Sequence, residues 1–139
     1  MKKEAAYFDS SIVLSFILGD TLGEKGLRLW DCFPQRVTSI LLHAECTQII
    51  NRDESPFAST RQNQLTEILS SINIVSLDSE IIEIIRSEKK LKKVRSLDAI
   101  HLATSIFIQS KLKSPLVFCT FDQKMAKIAD EIGFLVEGL

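Results

Sequence analysis

Short apolar runs separated by longer segments with helical periodicity most constrain how this chain can fold. The runs are Ala5-Ala6-Tyr7-Phe8, Arg36-Val37-Thr38, Ile72 to Leu77, Leu116-Val117-Phe118-Cys119 and Phe134-Leu135-Val136. Strands that read as continuous apolar runs are buried on both faces, as in parallel sheets covered by helices on each side. The pattern therefore predicts an α/β fold: a three-layer sandwich with a short, mostly parallel sheet flanked by helices. The 139 residues suffice for one real core and are too few for two comfortable ones, so residues 1–139 read as a single domain.

The intervening segments carry helix signals. Ser10 and Ser11 open a segment that runs to Leu18, and Leu22 to Phe33 stops before Pro34. Ser39 caps a helix that continues to about Arg52. Phe57 to Ser71 is polar with Leu65, Ile68 and Leu69 at helical spacing, an exposed amphipathic helix. Ser79 to Lys93 is expected to be helical, with Ile81, Ile82, Ile84, Ile85 and Leu91 facing inward. Ser96 is expected to cap a further helix whose apolar face is Leu97, Ile100, Ala103, Thr104 and Phe107. Lys124 to Ile132 forms the last helix, stopped at Gly133.

Four acids stand at notable places on this map. Asp9 and Asp122 each follow a strand and precede a helix. In an open parallel sheet the carboxyl ends of the strands form the crevice where ligands bind, although either residue alone suits a helix cap. Asp98 lies in the first turn of its helix, where exposed N–H groups stabilise a carboxylate. Glu45 is the anomaly: Leu41, Leu42 and Ile49 surround it on its own helix. A carboxylate there needs water at an edge, a partner or a metal, because burying it alone is costly. Dozens of residues separate each acid from the next, which excludes a local binding loop and leaves it to the fold to collect them. Gathered carboxylates repel unless a cation neutralises them. Hard oxygen ligands favour Mg²⁺ or Mn²⁺ over zinc, and such ions support in-line displacement at phosphorus.

Composition narrows the classes further. With 17 basic and 18 acidic residues the net charge is −1, so a polyanion is not held by bulk charge and any such site is local. Cys32, Cys46 and Cys119 are odd in number and widely spaced, which suggests buried thiols rather than a disulfide or zinc framework. Met1-Lys2-Lys3 could open an export signal, but Glu4 and Asp9-Ser10-Ser11 interrupt it, and no apolar stretch approaches the roughly 20 residues needed to span a bilayer. A cytoplasmic protein with no membrane contact is expected.

The residues also resemble a known family. Tyr7-Phe8-Asp9-Ser10-Ser11, Val37-Thr38-Ser39 through Glu45, Leu97-Asp98-Ala99-Ile100-His101-Leu102-Ala103-Thr104 and Thr120-Phe121-Asp122 are similar, in order and spacing, to the motifs of PIN domains, specifically the VapC-type toxins of bacterial toxin–antitoxin systems. The resemblance covers nearly the whole chain, and the Leu-Asp-Ala-Ile-His-Leu-Ala-Thr stretch is its most specific part. It implies a Rossmann-like sheet and Mg²⁺- or Mn²⁺-dependent endoribonuclease activity on RNA such as tRNA. It also implies a homodimer and inhibition by a VapB-type antitoxin. Asp9, Glu45, Asp98 and Asp122 would be the catalytic, metal-holding acids, and Ser10 and Thr120 the small hydroxyls beside them. Lys92-Lys93-Val94-Arg95 stands where relatives often carry a glycine.

A basic run from Arg86 to Arg95 ends just before Asp98. Most of its cations suit a solvated helix end, but Arg95 is placed to meet a phosphate backbone. Arg52 is a second candidate for contact with RNA or an antitoxin. His101, three residues after Asp98, reads as a packed, hydrogen-bonded histidine rather than a general base. Trp30 and Phe33 suit a core or an interface equally. The alternative to a nuclease is a non-catalytic PIN-fold module that binds RNA or protein. A small-molecule phosphohydrolase of the haloacid-dehalogenase type ranks behind both, because Ser11 occupies the second position of the Asp-x-Asp it would need.

Overall fold

In a computed structural model of the chain, residues 4–139 are described. Met1-Lys2-Lys3, weighed above as the start of an export signal, lie outside the described residues. Five strands form one sheet: β1 (Ala5–Phe8), β2 (Gln35–Ser39), β3 (Asn73–Val75), β4 (Leu116–Cys119) and β5 (Leu135–Glu137). Their order is β3-β2-β1-β4-β5 and every pairing is parallel. The chain leaves the central β1 toward β2 and β3, then returns to the other side for β4 and β5. The gap between the carboxyl ends of β1 and β4 is thus the point where strand order reverses, which is where α/β sheets bind ligands.

Alternation along the central strands divides the core. Ala5 and Tyr7 of β1 and Leu116 and Phe118 of β4 face one layer, while Ala6, Phe8, Val117 and Cys119 face the other. The first layer comprises α5 (Ser79–Ser87), α6 (Ser96–Lys111) and α7 (Gln123–Ile132); the second comprises α1 (Ser10–Ile17), α2 (Gly23–Cys32), α3 (Ile40–Asn51) and α4 (Ala58–Ser70). The three-layer α/β sandwich is as the sequence implies. Trp30 and Phe33 belong to the core, packing on Phe8 with ring centroids 4.9 and 6.2 Å away. No helix among the described residues is long and apolar enough to cross a membrane.

Several local expectations need correction. The segment from Ser79 to Lys93 is not one helix. Glu88 is extended, accepts a hydrogen bond from the Lys90 N–H and starts a separate 3-10 turn, Lys89–Lys93. Ile82 points outward, 46% exposed. Arg95 rather than Ser96 is the N-cap of α6, and no side chain caps that end. Leu97 is 51% exposed, and the buried side of α6 is Ala99, His101, Leu102, Ala103, Thr104, Ser105 and Ile108. Of these, Ala103 and Thr104 belong to the expected face and His101 is the packed, hydrogen-bonded histidine expected, whereas Ala99, Leu102, Ser105 and Ile108 extend the burial beyond it. Cys46 and Cys119 are buried, but Cys32 is exposed.

Candidate active site

Asp9 ends β1 and caps α1, its Oδ1 accepting from the Ser11 N–H at 3.1 Å. The Ser11 hydroxyl donates to the same oxygen and the Thr120 hydroxyl donates to Oδ2, both at 2.5 Å. Two strands and a helix start therefore converge on one carboxylate that is 2% exposed. Burial pushes its pKa above the ordinary carboxylate value; the bonds from Ser11 and Thr120 and the field of His101 oppose that shift.

Thr120 and Ser11 continue the network toward the next acid. The Asp122 N–H donates to the Thr120 hydroxyl at 3.0 Å, and the Phe121 N–H donates to the Ser11 hydroxyl at 3.0 Å. Asp122 caps α7 through the Met125 N–H. Both strand-end acids are thus helix caps, joined through the Thr120 hydroxyl. Capping does not preclude a role in a ligand site.

Glu45 and Asp98 complete the cluster from α3 and α6. Glu45 Oε1 lies 2.8 Å from His101 Nε2, and His101 Nδ1 lies 2.6 Å from the Tyr7 hydroxyl. Both Tyr7 and His101 are buried, whereas the Glu45 side chain is 26% exposed. Burial holds the Tyr7 phenol well above its ordinary pKa, with Asp9 and Glu45 adding to the effect. Asp98, half-buried, is also raised, first by desolvation and then by the negative charges of Asp122 and Glu45; His101 and Lys124 oppose the shift. Burial, Glu45 and Asp9 together push the Cys46 thiol up to about 12, which leaves it protonated and unreactive. Asp9 and Glu45 thus both act on Tyr7 and Cys46, and Glu45 and Asp122 both act on Asp98, which places the four acids in one electrostatic neighbourhood.

The donor set is chemically suited to a hard divalent cation: carboxylate oxygens, with Asp98 held above its ordinary value first by burial and then by the charges of Asp122 and Glu45. Among the described residues, no three His, Cys, Asp or Glu side chains stand close enough together to ligate one ion as they are arranged here. The fold brings the acids into a shared field without closing a ligand cage.

The remaining candidates separate. The hydroxyl on Asp9 is that of Ser11, where Ser10 was expected. Asp9 is the cap, so its carboxylate turns back to the residue two positions on, a relation a cap signal implies but a motif comparison does not single out. Arg95 is exposed at the start of α6, three residues before Asp98. Arg52 closes α3 two turns beyond Glu45. Much of the basic run is engaged elsewhere. The Lys93 ammonium is 3.0 Å from Glu131, Lys90 donates to the Glu131 carbonyl at the end of α7, and Arg86 pairs with Glu83. Tyr7 and Lys124 escaped the sequence reading. Tyr7 sits inside an apolar run that reads as core, and Lys124 is one of many exposed lysines.

Known proteins resemble this chain in family and fold. The family model described as PIN domain matches residues 6–131. No curated protein sequence matches the chain. Among solved structures, a toxin–antitoxin complex from Klebsiella pneumoniae aligns with a TM-score of 0.61 and 25% identity over 86% of this chain and 88% of that one. FitAcB from Neisseria gonorrhoeae aligns with a TM-score of 0.70 and 19% identity over 96% of each chain. VapBC2 from Rickettsia felis, bound to a DNA fragment from its promoter, aligns with a TM-score of 0.66 and 15% identity over 96% and 97%. At these lower identities the likeness is one of fold. With the family model spanning four of the five strands and all four acids, the chain belongs to the PIN domain family.

Proposed function

We propose that this protein is a Mg²⁺- or Mn²⁺-dependent endoribonuclease acting as the toxin of a VapBC-type toxin–antitoxin pair. The observation that carries the reading is the grouping of Asp9, Glu45, Asp98 and Asp122 around the point where strand order reverses: Thr120 joins Asp9 to Asp122, and Asp98 is held up by burial and then by Asp122 and Glu45. A divalent ion bound there supplies Lewis acidity and lowers the pKa of water at the site. The protein's own part is to hold the ligands. Asp9, Glu45, Asp98 and Asp122 carry the negative charge, and Thr120 and Ser11 fix the Asp9 carboxylate.

The substrate is RNA, reached through local rather than bulk charge, since the chain carries a net charge of −1. Arg95, three residues before Asp98 at the start of α6, and Lys124, whose charge acts on Asp98, are the cations to meet a phosphate, with Arg52 at the end of α3. A structured RNA such as tRNA is the substrate class. The partner is a VapB-type antitoxin, a reading supported by the toxin–antitoxin complexes among the similar structures. The protein works as a homodimer in the cytoplasm, residues 1–139 forming one domain.

The test is cleavage of purified total RNA with Mg²⁺, Mn²⁺ or EDTA, using Asp98→Asn as control. Metal-dependent cutting at discrete sites that the variant loses is the expected result. Equal cutting by a folded Asp98→Asn protein overturns the assignment. No cutting by antitoxin-free protein turns the reading to a non-catalytic binding module.

A further inference from the structure

The four acids are not held alike. Asp9 and Asp122 are fixed by the helix ends they cap, and Asp98 sits on the first turn of α6. Glu45 stands in the middle of α3, is longer, and caps nothing. Among the described residues its hydrogen-bond partner is His101, which comes from the helical layer on the other side of the sheet. His101 is 2% exposed and has both ring nitrogens engaged, one by Glu45 and one by Tyr7. Tyr7 is fully buried on the central strand, stacked on Phe118 with ring centroids 5.2 Å apart and edge-on to His101 at 5.8 Å. It is therefore a rigid anchor.

We propose that Tyr7 and His101 form a positioning relay that fixes the direction of the Glu45 carboxylate, and with it the affinity of the acidic crevice for a divalent cation. The Tyr7 hydroxyl donates to His101 Nδ1, which leaves the ring proton on Nε2, and Nε2–H donates to Glu45 Oε1. In this arrangement one imidazole engages both partners, and Glu45 meets it through Oε1 alone. His101 acts through Glu45 and is a positioning residue. Neighbours that orient ligands in this way typically alter metal affinity 10–100-fold. The inference rests on the proposed metal-dependent reading, but its test does not depend on RNA cleavage.

The experiment is Mn²⁺ binding by the full chain, followed by electron paramagnetic resonance of free Mn²⁺, for wild type, His101→Leu, His101→Gln and Tyr7→Phe, with thermal unfolding in parallel. His101→Leu is expected to weaken binding about 10–100-fold. Tyr7→Phe, nearly isosteric in the core, is expected to weaken it several-fold by freeing the ring to change tautomer. His101→Gln, whose amide both accepts and donates, is expected to recover most of the loss. Should His101→Leu not fold, Tyr7→Phe and His101→Gln carry the comparison. Unchanged Mn²⁺ affinity in Tyr7→Phe and in a folded His101→Leu, whatever their melting temperatures, overturns the relay. Wild type that binds no Mn²⁺ overturns both the relay and the metal-dependent reading. Wild type that binds Mn²⁺ in a His101-dependent way yet cuts no RNA overturns the nuclease alone.

Discussion

The Thr120 hydroxyl donates a 2.5 Å hydrogen bond to Asp9 Oδ2, joining the carboxyl ends of β4 and β1 across 111 residues of chain. Its oxygen also accepts from the Asp122 N–H, so one small side chain ties together two of the four acids. Replacing it by Val keeps the shape and removes both bonds, leaving the buried Asp9 short of a donor. The cost is about 1–3 kcal/mol, measurable as a lower urea midpoint with unchanged slope. Thr120→Ser restores the hydroxyl and should restore most of the stability and any metal affinity lost. A Thr120→Val protein as stable as wild type would show that the bond is not made in solution.

Asp98 gives the second prediction. Its carboxylate is disfavoured by burial and by Asp122 and Glu45, so the cation-free fold is strained where the site is most charged. Asp98→Asn removes that charge with little change in volume. In EDTA the variant is expected to melt about 2–5 °C above wild type, while Mg²⁺ raises the melting temperature of wild type only. Loss of cleavage together with gained stability is the trade expected where like charges are gathered for function. A lower melting temperature for Asp98→Asn in EDTA would instead mark the carboxylate as structural.

Some of this was legible in the sequence, for reasons that particular residues make plain. Asp9 and Asp122 are legible because both stand at carboxyl ends of strands, where parallel sheets bind ligands, although each alone reads as an ordinary helix cap. Glu45 was found because a carboxylate among Leu41, Leu42 and Ile49 needs an explanation, and His101 now supplies it. Thr104 and His101 are buried as the sequence implies, each with a hydrogen-bond partner, while Ser105 is missed because spacing sees residue types and not the bond its hydroxyl makes to the Leu102 carbonyl. Leu97 was assigned to the core on hydropathy, although its position on the first turn faces outward. The Ser79–Lys93 helix was overextended because Glu88 breaks it by capping the next turn, which resembles ordinary helix interior in one-letter code.

The pH dependence follows from the raised carboxyls. Asp9 and Asp98 bind protons more tightly in the folded than in the unfolded chain. Their contribution to stability is therefore fully present below the ordinary value of 3.8 and is lost as pH rises through the raised values. Asp53 runs the other way. Hydrogen bonds from Ser55 and Arg61 hold it down to about 2, so its contribution is present above 3.8 and is lost as pH falls toward 2. Denaturant unfolding in EDTA should show stability falling from near pH 4 upward, flattened in an Asp9→Asn, Asp98→Asn double variant. The acid-side loss should shrink in Asp53→Asn, the remainder coming from Glu131, which the hydrogen bond from Lys93 holds below its ordinary value. A divalent ion at about 100 times its dissociation constant should offset the loss at high pH by about 2.7 kcal/mol. Stability that rises from pH 4 to pH 8 in EDTA, and equally in the double variant, would sink this account of the acids.

The last prediction concerns the chain end. Thr120 donates its backbone N–H to the Glu137 carbonyl at 3.1 Å, and the next residue, Gly138, has φ +123°. A Cβ at Gly138 would fall on the Thr120 carbonyl, a backbone group that cannot swing aside. Gly133, with φ +115° at the end of α7, has open space where its Cβ would be. Ala at either position meets the same backbone penalty of about 1–2 kcal/mol for a left-handed conformation. Only Gly138→Ala also pushes on the residue that holds Asp9. Gly133→Ala is therefore expected to lower stability while leaving Mn²⁺ affinity unchanged. Gly138→Ala should lower stability further and weaken Mn²⁺ binding through the displaced Thr120 hydroxyl. Equal Mn²⁺ affinity in the two variants, both folded, would mean that the chain end does not brace the site.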